Sequence, residues 1–129
     1  MPNAAGKPSA MASFAQLAAG DALEEDGDLV GALACYSTAT TVDPDDVEGW
    51  TSRGAAEAAL GRGADAAASL QRALDAEPED ADLHASRGAA LCQVGDVAAA
   101  AECHGMGLAL SADYFAEAGP ASGGGRGRG

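Results

Sequence analysis

A chain of 129 residues has room for one ordinary domain, and 47% apolar residues suffice for a core if the pattern gathers them on one face. The formal charge of −13 excludes a nucleic-acid surface, which needs clustered lysine and arginine, and disfavours docking on an anionic membrane. No apolar stretch approaches the roughly 20 residues of a spanning helix, and the N-terminus lacks a signal peptide's basic head and apolar run, so the expectation is a soluble, cytoplasmic protein.

Residues 1–12 show no periodicity and read as a disordered tail. Ala15, Ala18, Ala19, Ala22 and Leu23 then recur at helical spacing, as do Leu29, Ala32, Leu33, Tyr36, Ala39 and Thr40, which predicts two helices. Gly27 between them suits a tight turn that needs positive φ, and Asp28 directly after it is a good N-cap. Pro44 stops the second helix, and in Asp-Pro-Asp-Asp at 43–46 the acids after the proline favour the start of the third. The arrangement then recurs through Gly61, Pro78 and Glu-Pro-Glu-Asp at 77–80, and again through Gly95 and Asp96. Residues 115–129 are Gly-rich and read as a second disordered tail; its two arginines add little RNA affinity beside 19 acids and four bases in the helical region.

Residues of one type return every 34 positions: Gly20, Gly54 and Gly88; Gly27, Gly61 and Gly95; Ala32, Ala66 and Ala100; Ala39, Ala73 and Gly107; Pro44 and Pro78, with Ala112 in the next proline's place. The repeats are therefore bounded at 13–46, 47–80 and 81–114, each two antiparallel helices. The row at 20, 54 and 88 falls inside helices, where glycine costs about 1 kcal/mol relative to alanine, so a packing reason is expected. With only five aromatic residues, small side chains must let the paired helices touch.

Laid out this way, the pattern from Ser13 to Tyr114 resembles the tetratricopeptide repeat (TPR) family, in which large, small and aromatic residues recur in a 34-residue helix pair closed by proline. Trp50 fits the family's early tryptophan, Tyr36 its second-helix aromatic, and Gly-Trp-Thr-Ser-Arg-Gly at 49–54 and His-Ala-Ser-Arg-Gly at 84–88 resemble its helix starts. The resemblance implies an all-α fold, a short right-handed αα superhelix of three helix-turn-helix repeats. Gln16 and His84 depart from the tryptophan, Glu57 from a tyrosine between Leu23 and Leu91, and Leu70 and His104 from the second aromatic. Such stacks commonly end in a covering helix, but Asp113–Ala118 is short for one, which leaves the third repeat open to self-association.

No motif supplies an activated nucleophile, a phosphate-cradling loop or a recognisable metal spacing, so neither enzyme activity nor a cofactor or metal is expected. Cys35, Cys92 and Cys103 read as reduced thiols. Cys103 and His104 are adjacent on a helix and point about 100° apart, which prevents a thiolate–imidazole pair. Cys92, Cys103, His84 and His104 match no zinc pattern, and the acid runs lack the alternation of a calcium loop.

The resemblance places a partner segment in a concave groove lined by the first helix of each repeat. Carried over, those positions are Phe14, Leu17, Asp21, Glu24 and Glu25; Glu48, Thr51, Ser52, Ala55 and Ala58; and Asp82, Ala85, Ser86, Ala89 and Cys92. This is a shallow floor of small residues with an acidic rim, fitted to a basic or apolar segment of a protein partner. The family's clamp for heat-shock chaperone tails needs cations where this chain has Leu17, Asp21, Ser52, Asp82 and Ser86, so a chaperone adaptor ranks below a general scaffold. Arg53 and Arg87 stand one residue further round and are expected to pair with acids between repeats. The remaining alternative is a remnant of a longer solenoid with no partner of its own.

Overall fold

The computed structural model describes residues 8–118, with side chains from 9 to 111. Six helices occupy them: α1 (Pro8–Glu25), α2 (Leu29–Val42), α3 (Val47–Ala59), α4 (Gly63–Ala76), α5 (Ala81–Gln93) and α6 (Val97–Ala118), with no strand among the described residues. None of these helices is long and apolar enough to cross a membrane. Residues 1–7 and 119–129, most of the two expected tails, lie outside the described residues.

Both tail boundaries need correction. α1 starts at Pro8 rather than Ser13, because proline suits a first helical position and no aspartate precedes Ser13 as Asp46 and Asp80 precede α3 and α5. α6 runs on to Ala118 because Ala112 cannot stop it as Pro44 and Pro78 stop α2 and α4 just beyond Val42 and Ala76.

The three turns within pairs share one geometry. Gly27, Gly61 and Gly95 have φ of 86°, 80° and 83°, the left-handed region that favours glycine. Each glycine N–H donates to the carbonyl three residues back, Glu24, Ala58 and Cys92, at 2.9, 3.0 and 3.0 Å. The following N–H reaches five back, to Leu23, Glu57 and Leu91, at 2.8, 2.8 and 3.0 Å. These paired bonds satisfy the last carbonyls of the first helix and turn the chain back within three residues.

Aspartates then cap the helices: Asp28 accepts from Gly31 N–H, Asp46 from Glu48, Asp80 from Asp82 and Leu83, and Asp96 from Ala99. α4 alone in this series has Arg62 at the cap, with no side-chain bond. Arg62→Asp is expected to stabilise the protein by about 1 kcal/mol, read as a higher urea midpoint with an unchanged slope.

The helical glycines show their packing role. A Cβ on Gly20 would lie 2.5 Å from the Tyr36 ring, one on Gly54 2.8 Å from Leu70 Cγ, and one on Gly88 3.1 Å from His104 Nε2. Each row-20 glycine thus makes room for the large residue 16 positions on, in the partner helix. Ala32, Ala66 and Ala100 are buried at the same crossings.

Packing produces two clusters. Leu17, Ala32, Leu33, Tyr36, Ala39 and Ala56 form one, and the larger gathers Leu70, Leu74, Leu83, Leu91 and Cys103 among others from α4, α5 and α6. Contact is densest within the pairs α1–α2, α3–α4 and α5–α6, then across the joints α2–α3 and α4–α5. α1 also touches α3, and α3 touches α5, while the even-numbered helices make no comparable contact with one another, so the stack bends toward its odd-numbered helices.

Candidate partner-binding groove

The expected site residues all lie on α1, α3 and α5, the helices toward which the stack bends. Phe14, Asp21, Glu24, Glu25, Glu48, Ala55, Asp82, Ala85, Ser86, Ala89 and Cys92 are exposed, and Thr51, Ser52 and Ala58 half-buried. Leu17 is not a groove residue: it is 4% exposed and belongs to the first core cluster, one helical turn before the buried Gly20. Thr51 spends its hydroxyl on the Val47 carbonyl, and Ala58 packs partly against the larger cluster while its carbonyl accepts from Gln93 Nε2 at 3.0 Å. Gln93, absent from the expected set, therefore ties α5 to α3 beneath the groove.

Two of the expected groove acids are already engaged. The fully buried Tyr36 donates its hydroxyl to Asp21 Oδ1 at 2.6 Å and reaches Glu24 Oε1 at 2.9 Å. Burial first, then these hydrogen bonds, push the phenol's pKa well above its ordinary value of 10.0, so it remains a donor at neutral pH. Glu25, Glu48 and Asp82 are exposed, and their carboxylates make no hydrogen bond to another side chain among the described residues.

A polar chain crosses the second pair. Ser69 Oγ donates to Glu57 Oε1 at 2.6 Å, Arg53 Nε to Glu57 Oε2 at 3.3 Å, and Arg53 Nη1 to Thr40 Oγ1 at 3.0 Å. Arg53 thus pairs with an acid of its own helix rather than across a joint, since four residues on bring Glu57 under its guanidinium. Arg87, its counterpart 34 residues later, pairs with no acid: Leu91 stands in the glutamate's place, Nη1 lies 2.9 Å from Cys103 Sγ, and the buried Nε has no partner.

Trp50 lies outside the groove. Its indole N–H donates to the Pro44 carbonyl at 2.8 Å, and Arg72 and Arg53 sit 4.4 and 5.2 Å from its ring centroid. The hollows beside it, about 260 and 400 Å³, are lined by Trp50 and Arg72 together with Arg53, Glu57, Asp65 and Ser69 or with Pro44, Val47 and Asp75. Among the described residues no three of His, Cys, Asp or Glu are gathered to hold a metal ion. His84 bonds the Pro78 carbonyl at 2.8 Å, while Cys92 is exposed and Cys103 buried.

Stacked helix pairs bent around an open inner face define an all-α helical-repeat solenoid. The family model for the tetratricopeptide repeat matches residues 22–87, and the chain belongs to that family. Its fold is similar to the first TPR of Spaghetti (RPAP3) bound to HSP90 peptide SRMEEVD, at 21% identity over 82% of this chain and 84% of that one, with a TM-score of 0.75. It is similar too to the N-terminal domain of stress-induced protein-1 from C. elegans, at 19% identity over 81% and 88% with a TM-score of 0.73. The Sgt2 TPR domain from Aspergillus fumigatus aligns at 21% identity over 88% and 74%, also with a TM-score of 0.73. No curated protein matches the sequence.

Proposed function

We propose that the protein is a non-catalytic interaction module whose inner face holds a basic or apolar segment of a protein partner, with repeats at 13–46, 47–80 and 81–114. The observation that carries this reading is the exposed inner row, where Glu25, Glu48 and Asp82 rim a floor of Ala55, Ala85, Ser86 and Ala89. Small floor residues admit a helix or extended segment closely, and the rim supplies attraction that salt screens.

A chaperone-tail reading draws support from the RPAP3 domain bound to an HSP90 peptide. Against it, the matching positions here hold a buried Leu17, an Asp21 engaged with Tyr36, and Ser52, Asp82 and Ser86, none a cation for an acidic tail.

The test is a peptide array of basic, apolar and acidic segments, probed with the full chain and with the double variant Glu48→Lys/Asp82→Lys. Asp21 is left intact because its reversal would disturb Tyr36. Basic peptides should bind the wild type and lose about tenfold in affinity on reversal, or about 1.4 kcal/mol. Unchanged binding would remove the acidic-groove reading, and selective capture of SRMEEVD would replace it with the chaperone-tail one.

A further inference from the structure

We propose that this chain assembles head to tail with further copies of itself, the outer face of α6 on one copy receiving the outer face of α1 on the next. The two faces are the separated halves of a joint that the chain already makes twice internally.

In the α2–α3 joint, Thr40 lies against Gly49, whose Cβ would stand 3.3 Å from Thr40 Cγ2. One repeat of 34 residues later, Leu74 of α4 and Leu83 of α5 share a buried cluster. Gly63, at the head of α4, is so near α5 that a Cβ would fall 2.7 Å from the Ala90 carbonyl oxygen and from Gln93 Cβ. A further repeat places Leu108 on α6 at the same point, where no described helix covers it. Its exposure is 71%, against 4% for Leu74 and 2% for Thr40. Val97 stands exposed where Gly63 is buried, and Ala101 where Leu33 and Ala67 are buried.

α1 carries the complementary half. Ala15 occupies the register of Gly49 and Leu83, and Ala22 that of Ala56 and Ala90. Those four are buried at their joints, while Ala15 and Ala22 are exposed. Met11 and Ala18 share their face, with Phe14 at its edge, at the helix's rotation of about 100° per residue. In a chain of charge −13 both faces are free of acids until Glu25, at the register of Gln93.

The internal pairs Thr40–Gly49 and Leu74–Leu83 thus continue as Leu108 against Ala15 of the next copy. An α6-to-α6 dimer would set Leu108 on Leu108, which neither internal joint resembles. Two different faces meeting make a heterologous joint that does not close, so the solenoid extends copy by copy.

Sedimentation of the full chain across concentration tests this. The weight-average mass should rise past the dimer without a plateau, and more strongly in high salt, which screens the repulsion between acidic copies. Leu108→Asp and Ala22→Glu, both at exposed positions, should each give monomers with unchanged circular dichroism. Mixed together they should form one-to-one dimers and nothing larger, because one variant keeps an intact α1 face and the other an intact α6 face. A wild type that stays monomeric, a dimer that stops at two, or assembly indifferent to Ala22→Glu would each overturn the proposal. Glu48 and Asp82 lie on neither face, so the groove test stands or falls separately.

Discussion

Replacing Tyr36 by alanine is expected to remove about 3–5 kcal/mol of stability, a large share of the roughly 5–15 kcal/mol that holds a small domain together. The ring is fully buried in the first cluster and presses on Gly20, where no side chain could stand, so its loss opens a cavity that the backbone crossing cannot fill. Urea unfolding followed by circular dichroism measures the drop. Tyr36→Phe keeps the ring and gives up the bonds to Asp21 and Glu24, whose residues are exposed and can bond water instead, so it should cost only about 1 kcal/mol at pH 7.

The same pair of variants has a sign in pH. In the folded protein the phenol's pKa is raised, so its contribution is complete below the unfolded value of 10.0 and declines as pH climbs beyond it. One unit higher, the unfolded wild type gains about 1.4 kcal/mol from ionisation that Tyr36→Phe cannot gain. The stability curves of wild type and Tyr36→Phe should therefore meet near pH ~11, and a gap that stays constant would show that the hydroxyl's burial is immaterial.

Glu57→Ala is the second large expected effect, about 2–3 kcal/mol, because it leaves the buried Ser69 hydroxyl without its acceptor and removes the carboxylate paired with Arg53. The polar pair is a concerted exchange. Where the second repeat has Glu57 and Ser69, the first has Leu23 and Cys35 and the third has Leu91 and Cys103. Glu57→Leu with Ser69→Cys should therefore be tolerated, neutral or stabilising by about 1 kcal/mol, with Arg53 still held by Thr40 and the Trp50 ring. Urea unfolding of the two single variants and the double gives their coupling energy, and a double variant as weak as Glu57→Ala would show that the site needs its charge.

The helix pairs are legible because local signals recur in register: a positive-φ glycine in all three, aspartate caps at every helix start from α2 on except α4, and a proline stop after the first two pairs. The glycines at 20, 54 and 88 announced close crossings by being expensive where they stood. Depth was harder to read than direction. Leu17 shares the inner helix with the groove residues, yet it is buried, since helical spacing assigns an angle around the axis and says nothing of how far a neighbour overlaps it. Nothing local in the sequence marks Asp21 as engaged, because the hydroxyl that claims it arrives from 15 residues away. Glu57 was visible as a departure from a pattern, but its partner Ser69 was not, since a lone serine in a helix carries no sign of what it will bond. Arg87 kept the residue type of Arg53 without the glutamate that satisfies it, a difference that only coordinates convert into a buried nitrogen lacking a partner.

The substantial contacts between helices join neighbours or next neighbours along the chain. Closing α1 on α2 requires a three-residue turn and nothing from α5 or α6, so order can spread from one pair to the next without a search for distant segments. During synthesis the first pair can settle while the last is still inside the ribosome, and each new pair meets a finished surface to pack against.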